Sequence, residues 1–468
     1  KNKPEHKGRK SNREQRVQDM NKDLTVGKPE TVLWRFCLPL FGSIIFQQLY
    51  NMCDTIIVGR LLGSSALAAV GNTGPMNFLV LGFLYGMTSG FAVPTAQRFG
   101  AKDEDGLKRS VAINIILNAV SGLVITVLAC SLTMPLLRAI HTPEEIINQS
   151  FIYIFIIYSG ILMTVLYNAC TCVLRAVGDS KTPLYFLIIA SVLNIALDII
   201  FIAVFHTGVE GAALATVIAQ AVSGIASLIW IIIRYPILHV KKEHFKNIWS
   251  FLCKHLGIGL SMGFQFSITA IGTVILEGAL NKFGSTKIAA FTAAQKVEQL
   301  VSVAAIVMGV AIANYAGQNM GAKKLERIKE GVAKSLIISL TIAVLAAVTA
   351  WLFSDQMTSI FLDKNSMEKE TWNEILQASR TYLRICGIFF PTLFVIFIYR
   401  NALQGIGKGF WPLMGGFFEL IARTVAAYTL PSIIGFAGIC TAEPMAWLAA
   451  AIPLAIAYYI TMHKIKVE

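Results

Sequence analysis

Residues 183–205 read PLYFLIIASVLNIALDIIFIAVF, an apolar run in which Asp198 is the single charged side chain. A helix of about 20 mostly apolar residues is long enough to cross the roughly 30 Å hydrocarbon core of a bilayer. The run therefore predicts a transmembrane helix that carries one carboxylate inside the membrane. Such a carboxylate is costly to bury, so it marks a candidate functional position.

The composition of the whole chain agrees with a membrane protein. Of its 468 residues, 55% are apolar and only 14% are charged, and the mean hydropathy is +0.63. The runs are too long for barrel strands, which need only about 10 alternating residues. We therefore predict an all-α integral membrane protein with twelve transmembrane helices. The predicted spans are 33–58, 66–92, 111–134, 150–173, 183–205, 209–234, 256–280, 288–316, 333–353, 382–401, 410–431 and 442–461.

The basic residues predict the orientation of these helices. Lys and Arg are concentrated in segments such as QRFGAKDEDGLKR (97–109), RYPILHVKKEHFK (234–246) and GAKKLERIK (321–329), whereas the turns HTGVEG (206–211) and GFAGICTAEP (435–444) contain none. Positively charged loops stay in the cytoplasm. We expect both termini to be cytoplasmic in the plasma (inner) membrane, with a cytoplasmic tail at 1–31 and a cytoplasmic linker at 235–255. The net charge of +13 then reflects orientation and predicts no nucleic-acid partner.

The two halves of the chain repeat each other. Three matches carry this inference: LGSSALAAV (62–70) with FGSTKIAAF (283–291), QRFGAK (97–102) with QNMGAK (318–323), and LRAVGDSKTP (174–183) with LQGIGKGFWP (403–412). Six helices are repeated in the same orientation, which predicts an N-lobe (32–234) and a C-lobe (256–468) around a central cleft, an arrangement suited to alternating access.

Polar residues inside the N-lobe spans predict a cation site. Asn194 and Asp198 are four residues apart and share one helical face, and Asp54 and Thr216 are expected in the same layer. Two carboxylates, an amide and a hydroxyl form an all-oxygen set that suits Na⁺ or a shared proton. The alternative is that Asp54 lies at the membrane interface while Asp198 makes one polar contact.

The duplication does not repeat this site in the C-lobe. Ile275 and Ala427 stand where the N-lobe has Asp54 and Asp198. We predict instead a polar network of Lys296, Glu298, Glu419 and Arg423, in which Arg423 pairs with Glu419 or Glu298 and removes the need for a mobile ion. A purely structural pair is the alternative.

Other residues in the spans suggest packing or movement. The eight cysteines lie mostly in or beside apolar runs without C-x-x-C spacing, which predicts small packing residues rather than a metal site. Pro39 predicts a kink in the first span, and this kink is either a static bend or a hinge. The chain has no H-E-x-x-H, G-x-S-x-G or P-loop motif, so the sequence predicts no enzyme activity and no cofactor.

Several motifs resemble the multidrug and toxic compound extrusion (MATE) family over residues 30–465. They are QQLYNMCDTIIVGRLLGSSALAAVG (47–71), LRAVGDSKTP followed by NIALDIIFI (194–202), and AAFTAAQKVEQL (289–300). The resemblance to the DinF-like branch implies that Tyr153 joins the N-lobe cation site and that Pro39 is a bending proline. The NorM-like branch has acidic residues on its seventh and tenth helices. Here the seventh has Gln265 in its inner half and Glu277 only near its outer end, and the tenth has no acid, so no C-lobe cation site is expected.

The resemblance implies efflux of amphipathic, often cationic organic compounds in exchange for H⁺ or Na⁺. We expect the partners to be small-molecule substrates and the bilayer, and the protein to be a monomer. Two alternatives remain: a flippase for a lipid-linked oligosaccharide or other lipid, and a membrane receptor or scaffold that binds without transport.

Overall fold

The computed structural model describes residues 23–246, 249–362 and 368–467, and this part of the chain is helical without strands. The predicted tail at 1–31 therefore lies mostly outside the described residues. The long helices are α1 (Pro29–Leu62), α2 (Gly74–Gly100), α3 (Glu104–Ala139), α4 (Glu144–Ser159 and Ile161–Ala176), α5 (Lys181–Ile199), α6 (Val209–Arg234), α7 (Trp249–Leu280), α8 (Gly284–Gly321), α9 (Leu325–Leu352), α10 (Lys369–Ile406), α11 (Phe410–Thr429) and α12 (Ala442–Val467).

These helices confirm the predicted spans in number. Ten segments of the described chain are long and apolar enough to cross a membrane, and one of them, 251–321, contains both α7 and α8. The two segments of α4 form a further span that is bent by 48° at Gly160. A Cβ at Gly160 would come within 2.4 Å of Val217 Cγ2, so the glycine allows α6 to pack against the bend. The described residues thus hold twelve spans.

The predicted second span, 66–92, was wrong at its start. Residues Ser64–Asn72 form a separate short helix, and α2 begins at Gly74 and continues to Gly100. Pro75 lies in the first turn of α2, where its missing amide hydrogen is tolerated. The apolar residues of the short helix extended the hydropathy run and hid this boundary.

The outer surface of the bundle is apolar. On α3, for example, Val120, Leu123 and Val127 are all more than half exposed. A soluble protein rarely exposes such a continuous apolar surface, whereas lipid tails solvate it.

The backbone repeats across the two halves. Left-handed conformations occur at equivalent positions with offsets of 221 or 229 residues, namely Gly63 and Gly284, Lys102 and Lys323, and Gly178 and Gly407. These pairs end or begin equivalent helices, which confirms two parallel six-helix repeats.

A side-chain contact repeats in the same way. Ser150 Oγ donates to the Ala69 carbonyl at 3.0 Å, and Ser379 Oγ donates to the Ala290 carbonyl at 3.0 Å. In each lobe this bond joins the first half of the fourth helix to the helical segment that follows the first helix of the lobe.

The lobes meet at the end of the bundle where α1 begins and α12 ends, which we call the terminal end. Gln97 of α2 donates to the Gly405 carbonyl at 2.9 Å, and Gln318 of α8 donates to the Ala176 carbonyl at 2.9 Å. The two bonds are related by the repeat, and each crosses from one lobe to the other. They tie the lobes together at this end.

Two glycines make this contact possible. A Cβ at Gly100 would lie 1.9 Å from the Gln318 carbonyl oxygen, and one at Gly321 would lie 1.7 Å from that of Gln97. Real Cβ atoms do not approach an oxygen so closely, so only glycine allows the backbones to meet here. The cleft is therefore closed at its terminal end.

Helix α1 contacts both lobes. Its first part packs into the C-lobe core, where Cys37 Sγ lies 3.8 Å from Met308 Sδ. Beyond Pro39, a Cβ at Gly42 would be in contact with Leu184 of α5, and Val58 joins the N-lobe core. The helix is continuous through Pro39. This proline therefore lies where α1 changes from one lobe to the other.

The cysteines are all free in the structure. Five of them, Cys37, Cys170, Cys172, Cys386 and Cys440, are buried, as expected of packing residues. The prediction was wrong for Cys253, which is exposed near the start of α7.

Candidate ion and substrate sites

The structure brings the predicted N-lobe residues together. Asp54 lies on α1, Asn194 and Asp198 on α5, and Thr216 on α6. Asp198 is 0% and Asn194 1% exposed, while Asp54 is half-buried. The carboxyl groups of Asp54 and Asp198 lie within hydrogen-bonding reach of each other. The structure thus places these four residues in one cluster.

Asn194 connects the other members of the cluster. With its amide nitrogen towards Asp198, it donates to Asp198 Oδ2 at 3.2 Å and accepts from the Thr216 backbone N–H at 3.2 Å. In the opposite orientation it donates only to Thr216 Oγ1, at 3.3 Å. We adopt the first orientation because it satisfies both ends of the amide.

Both carboxyl groups keep unused hydrogen-bonding capacity. Asp54 Oδ1 and Asp198 Oδ1 are buried and have no hydrogen-bond partner. Neither aspartate forms an ion pair with a basic side chain within the described ranges. Buried carboxylate oxygens are normally satisfied, so this geometry fits a proton or a small cation between the two groups. The donor set of two carboxyls, one amide and one hydroxyl is consistent with Na⁺.

Two tyrosines complete the cluster. Tyr153 on α4 is 7% exposed and lies near Asp54 and Asp198, which agrees with the resemblance. Tyr50 contacts Thr216 and lies near both carboxyl groups, but sequence reasoning missed it. Tyr50 precedes Asp54 by four residues and therefore faces the same side of α1, and this spacing could have identified it.

The backbone of α5 is irregular directly after Asp198. Residues Ile200–Val204 form a π-helical turn, and the α-helix ends at Ile199. Such turns are rare and often lie at functional sites. The carboxylate is thus carried on the last regular turn of its helix.

The C-lobe pairs its charges differently from the prediction. Arg423 Nη2 donates to Glu443 Oε2 at 2.8 Å, and Arg400 pairs with Glu419. The expected pairing of Arg423 with Glu419 or Glu298 was therefore wrong, because partners on other helices take both charges. The alternative of a structural ion pair fits these two buried bridges.

Lys296 and Glu298 also depart from the predicted network. Lys296 is exposed and forms no ion pair or side-chain hydrogen bond in the described chain, so it does not belong to the network. Glu298 accepts a hydrogen bond from Ser302 at 2.7 Å and lies near Arg423 and Glu443, but it has no ion-pair partner of its own in the described chain. Three carboxyl groups thus face two arginines, and one of the three, Glu298, has no basic partner in the described chain.

These groups line a cavity of about 360 Å³ in the C-lobe, which we call the C-lobe cavity. Its walls include Phe78 from α2, Phe397 from α10 and Trp447 from α12. Aromatic walls with a surplus carboxylate suit a flat organic cation.

Sequence reasoning missed Arg400 and Glu443. Arg400 lies at the end of the apolar run 385–399, and Glu443 lies at the start of α12. The rule that an ionisable residue in a span needs a partner applies to both, and it would have marked them as members of a buried charge cluster without naming their partners.

Comparison with known proteins agrees with this geometry. The family model MatE matches residues 39–200 and 258–429, one match in each lobe. The chain belongs to the MatE family. It is 28% identical over 435 residues to the "Probable multidrug resistance protein YoeA" of Bacillus subtilis (strain 168), and the alignment covers 88% of this chain and 91% of that protein. It is 27% identical over 225 residues to "DNA damage-inducible protein F" of Escherichia coli (strain K12), and this alignment covers 47% of this chain and 48% of that protein.

Solved structures match the whole fold. A structure described as the "Outward-facing conformation of a multidrug resistance MATE family transporter of the MOP superfamily" aligns with a TM-score of 0.86 at 24% identity, and it covers 95% of this chain and 98% of that one. The resemblance to MATE transporters is thus confirmed. This MatE protein is a membrane transporter of the multidrug efflux family and not an enzyme.

Proposed function

We propose that this MatE protein exports amphipathic organic cations in exchange for inward movement of H⁺ or Na⁺. The observation that carries the proposal is the buried pair Asp54 and Asp198, which lies within hydrogen-bonding reach and has no basic partner. Two adjacent carboxylates cannot both stay charged cheaply, so one proton or cation binds between them.

The path of α1 supports coupling between this site and the cleft. Asp54 lies on the part of α1 that packs in the N-lobe, and Cys37 lies on the part that packs on the C-lobe. When a cation binds between Asp54 and Asp198, the change in charge alters the packing of α1. Pro39, where α1 passes between the lobes, is the proposed hinge.

Alternating access requires the terminal end to open. In the present state that end is closed by the Gln97 and Gln318 bonds. A cation and a substrate drive the change only if each binds the two states with different affinity. We infer that the cation favours one state and the substrate favours the other. Their exchange on the protein couples the inward flux of the cation to the outward flux of the substrate.

The C-lobe cavity supplies a place for the substrate. Its surplus carboxylate attracts a positive group, and its aromatic residues pack against an apolar body. Because both arginines are already paired there, Glu298 is the proposed contact for the positive group.

We infer that the terminal end faces the cytoplasm and that the protein works as a monomer in the plasma (inner) membrane. The basic residues at this end, such as Lys102, Lys242 and Lys323, support the orientation. In a Cys253→Ser background, Ser432→Cys should react with an impermeant maleimide on whole cells above the level of its parent, and Glu243→Cys should not. The reverse pattern would contradict the orientation.

The experiment that tests the function is flux in proteoliposomes. The purified protein should move ethidium when a proton or sodium gradient is applied, and empty liposomes should not. Movement of a labelled lipid instead of ethidium would favour a flippase. Ethidium binding without movement under either gradient would favour a receptor.

A further inference from the structure

A second cavity lies between the lobes, nearer the terminal end than the C-lobe cavity. It is lined by Arg175 from α4 and by the polar side chains of Tyr85, Ser89, Asn314, Asn401 and Gln404. No acidic residue of the described chain lines it. We call it the arginine cavity.

Arg175 has no ionic partner in this cavity. Among the described residues, its one hydrogen bond is a long one from Nη1 to the Tyr85 hydroxyl, at 3.5 Å, and its Nε is buried without a partner. No carboxylate of the described residues lies within 4 Å of its guanidinium. A guanidinium is always charged, and an unpaired one is costly to enclose.

The arginines of the two cavities differ in this respect. Arg400 and Arg423 are each paired with a glutamate, whereas Arg175 has no acidic partner in the described chain and its Nε is buried without a hydrogen bond. The position equivalent to Arg175 in the C-lobe repeat is Gln404, which donates to Gln265 Oε1 at 2.7 Å and is satisfied. The charge of Arg175 is therefore not required by the repeated fold.

The size of the cavity indicates what could neutralise this charge. Its volume is about 40 Å³. Since one water molecule needs about 10–15 Å³ of such volume, the cavity holds a few water molecules or one small polar group. That space fits a carboxylate or a phosphate group and excludes a whole organic molecule. The guanidinium fork matches either anion in a bidentate manner.

We propose that the arginine cavity binds the anionic group of a substrate, so that the protein also takes zwitterionic amphipathic compounds. This inference rests on the proposed export function and extends its substrate class. The anionic group pairs with Arg175, while the positive part of the same compound faces the surplus carboxylate of the C-lobe cavity. Along α10 the two cavities follow each other, since Phe397 lines one and Asn401 and Gln404 line the other.

Two dyes test the proposal, because they differ only at one carboxyl group. Rhodamine 110 carries a free benzoate, and rhodamine 123 is its methyl ester. Binding to the purified full-length protein is measured by fluorescence anisotropy. We expect Arg175→Gln to weaken the binding of rhodamine 110 by about tenfold or more, beyond any loss of affinity for rhodamine 123. The reason is that a charge-assisted bidentate contact is lost only for the benzoate. Arg175→Lys should restore part of the difference.

The matched control is Arg234→Gln, which removes one positive charge from an exposed position at the end of α6. It should change the affinity for neither dye. Equal losses for both dyes in Arg175→Gln, no loss for rhodamine 110, or no binding of rhodamine 110 to the wild type would overturn the proposal.

A competition measurement needs no variant and covers the case that Arg175→Gln does not fold. Benzoate should displace rhodamine 110 from the wild-type protein at lower concentration than benzamide, its neutral analogue. Equal potency would contradict the anion site. Ethidium flux is measured separately. If the protein distinguishes the two rhodamines but does not move ethidium, only the export function is refuted. If it moves ethidium but does not distinguish the rhodamines, only the arginine cavity is refuted.

Discussion

The two lobes share a fold but treat their buried charges in opposite ways. In the N-lobe, Asp54 and Asp198 face each other with unused oxygens. In the C-lobe, Arg423 stands at the position equivalent to Asn194 and pairs with Glu443. A permanent guanidinium therefore takes, in one lobe, the place of the mobile cation that we propose for the other. The proposed ion coupling is thus confined to a single lobe of a repeated scaffold.

Neutralising the N-lobe pair should have the largest effect on transport. Asp54→Asn and Asp198→Asn each remove one of the two charges that hold the cation, so ion-driven ethidium flux should fall to background. Both variants should fold, because no basic partner is left unpaired. The measurement is flux in proteoliposomes after gel filtration. Full flux in both variants under either gradient would place coupling elsewhere.

Removing one C-lobe charge should instead reduce stability. Arg423→Ala leaves Glu443 buried without its partner, at a cost of about 3–5 kcal/mol. The double variant Arg423→Ala/Glu443→Ala should regain part of the lost thermal stability. If the double variant is less stable by the sum of the single losses, the ion pair does not explain the C-lobe.

A smaller effect is expected at the contact between the lobes. Gly321→Ala places a Cβ against the Gln97 carbonyl and should open the terminal end more often. A Ser89→Cys reporter in a Cys253→Ser background should then react faster with an impermeant maleimide from the terminal face of the membrane. The control Gly257→Ala has open space around its Cβ and should leave the rate unchanged. An unchanged rate in Gly321→Ala would show that this contact does not limit opening.

The smallest expected effect is at Tyr153. Tyr153→Phe removes one hydroxyl near the carboxyl pair but leaves both charges, so the flux should fall by about 2- to 5-fold, in line with about 0.5–1 kcal/mol for one hydrogen bond. Initial rates of ethidium flux measure it. A complete loss would make the hydroxyl part of the cation site itself.

Much of this fold could be predicted from the sequence because the bilayer imposes simple rules. Long apolar runs predicted the spans, and spacing along α5 placed Asn194 and Asp198 on one face. The start of α2 could not be predicted, since the apolar short helix Ser64–Asn72 merges with it in a hydropathy window.

The C-lobe pairs were beyond local sequence rules for a related reason. Glu419 and Arg423 have ideal spacing for a pair within one helix, yet each bonds to a residue on another helix. Tertiary packing decides which buried charges meet, and a rule based on spacing within one helix does not contain that information. The same limit hid the isolation of Arg175, because the cavity around it is lined by residues from five helices.

The most direct test of the account is the exchange of cation for substrate at the N-lobe pair. Ethidium is added to the purified protein in weakly buffered solution, and proton release is followed with and without Na⁺. We expect the wild type to release about one proton per bound ethidium, or to bind ethidium more weakly as Na⁺ rises, because the pair holds one cation at a time. The variant Asp54→Asn/Asp198→Asn should bind ethidium with neither proton release nor sodium dependence. Unchanged proton release or sodium dependence in that variant would contradict the assignment of coupling to Asp54 and Asp198.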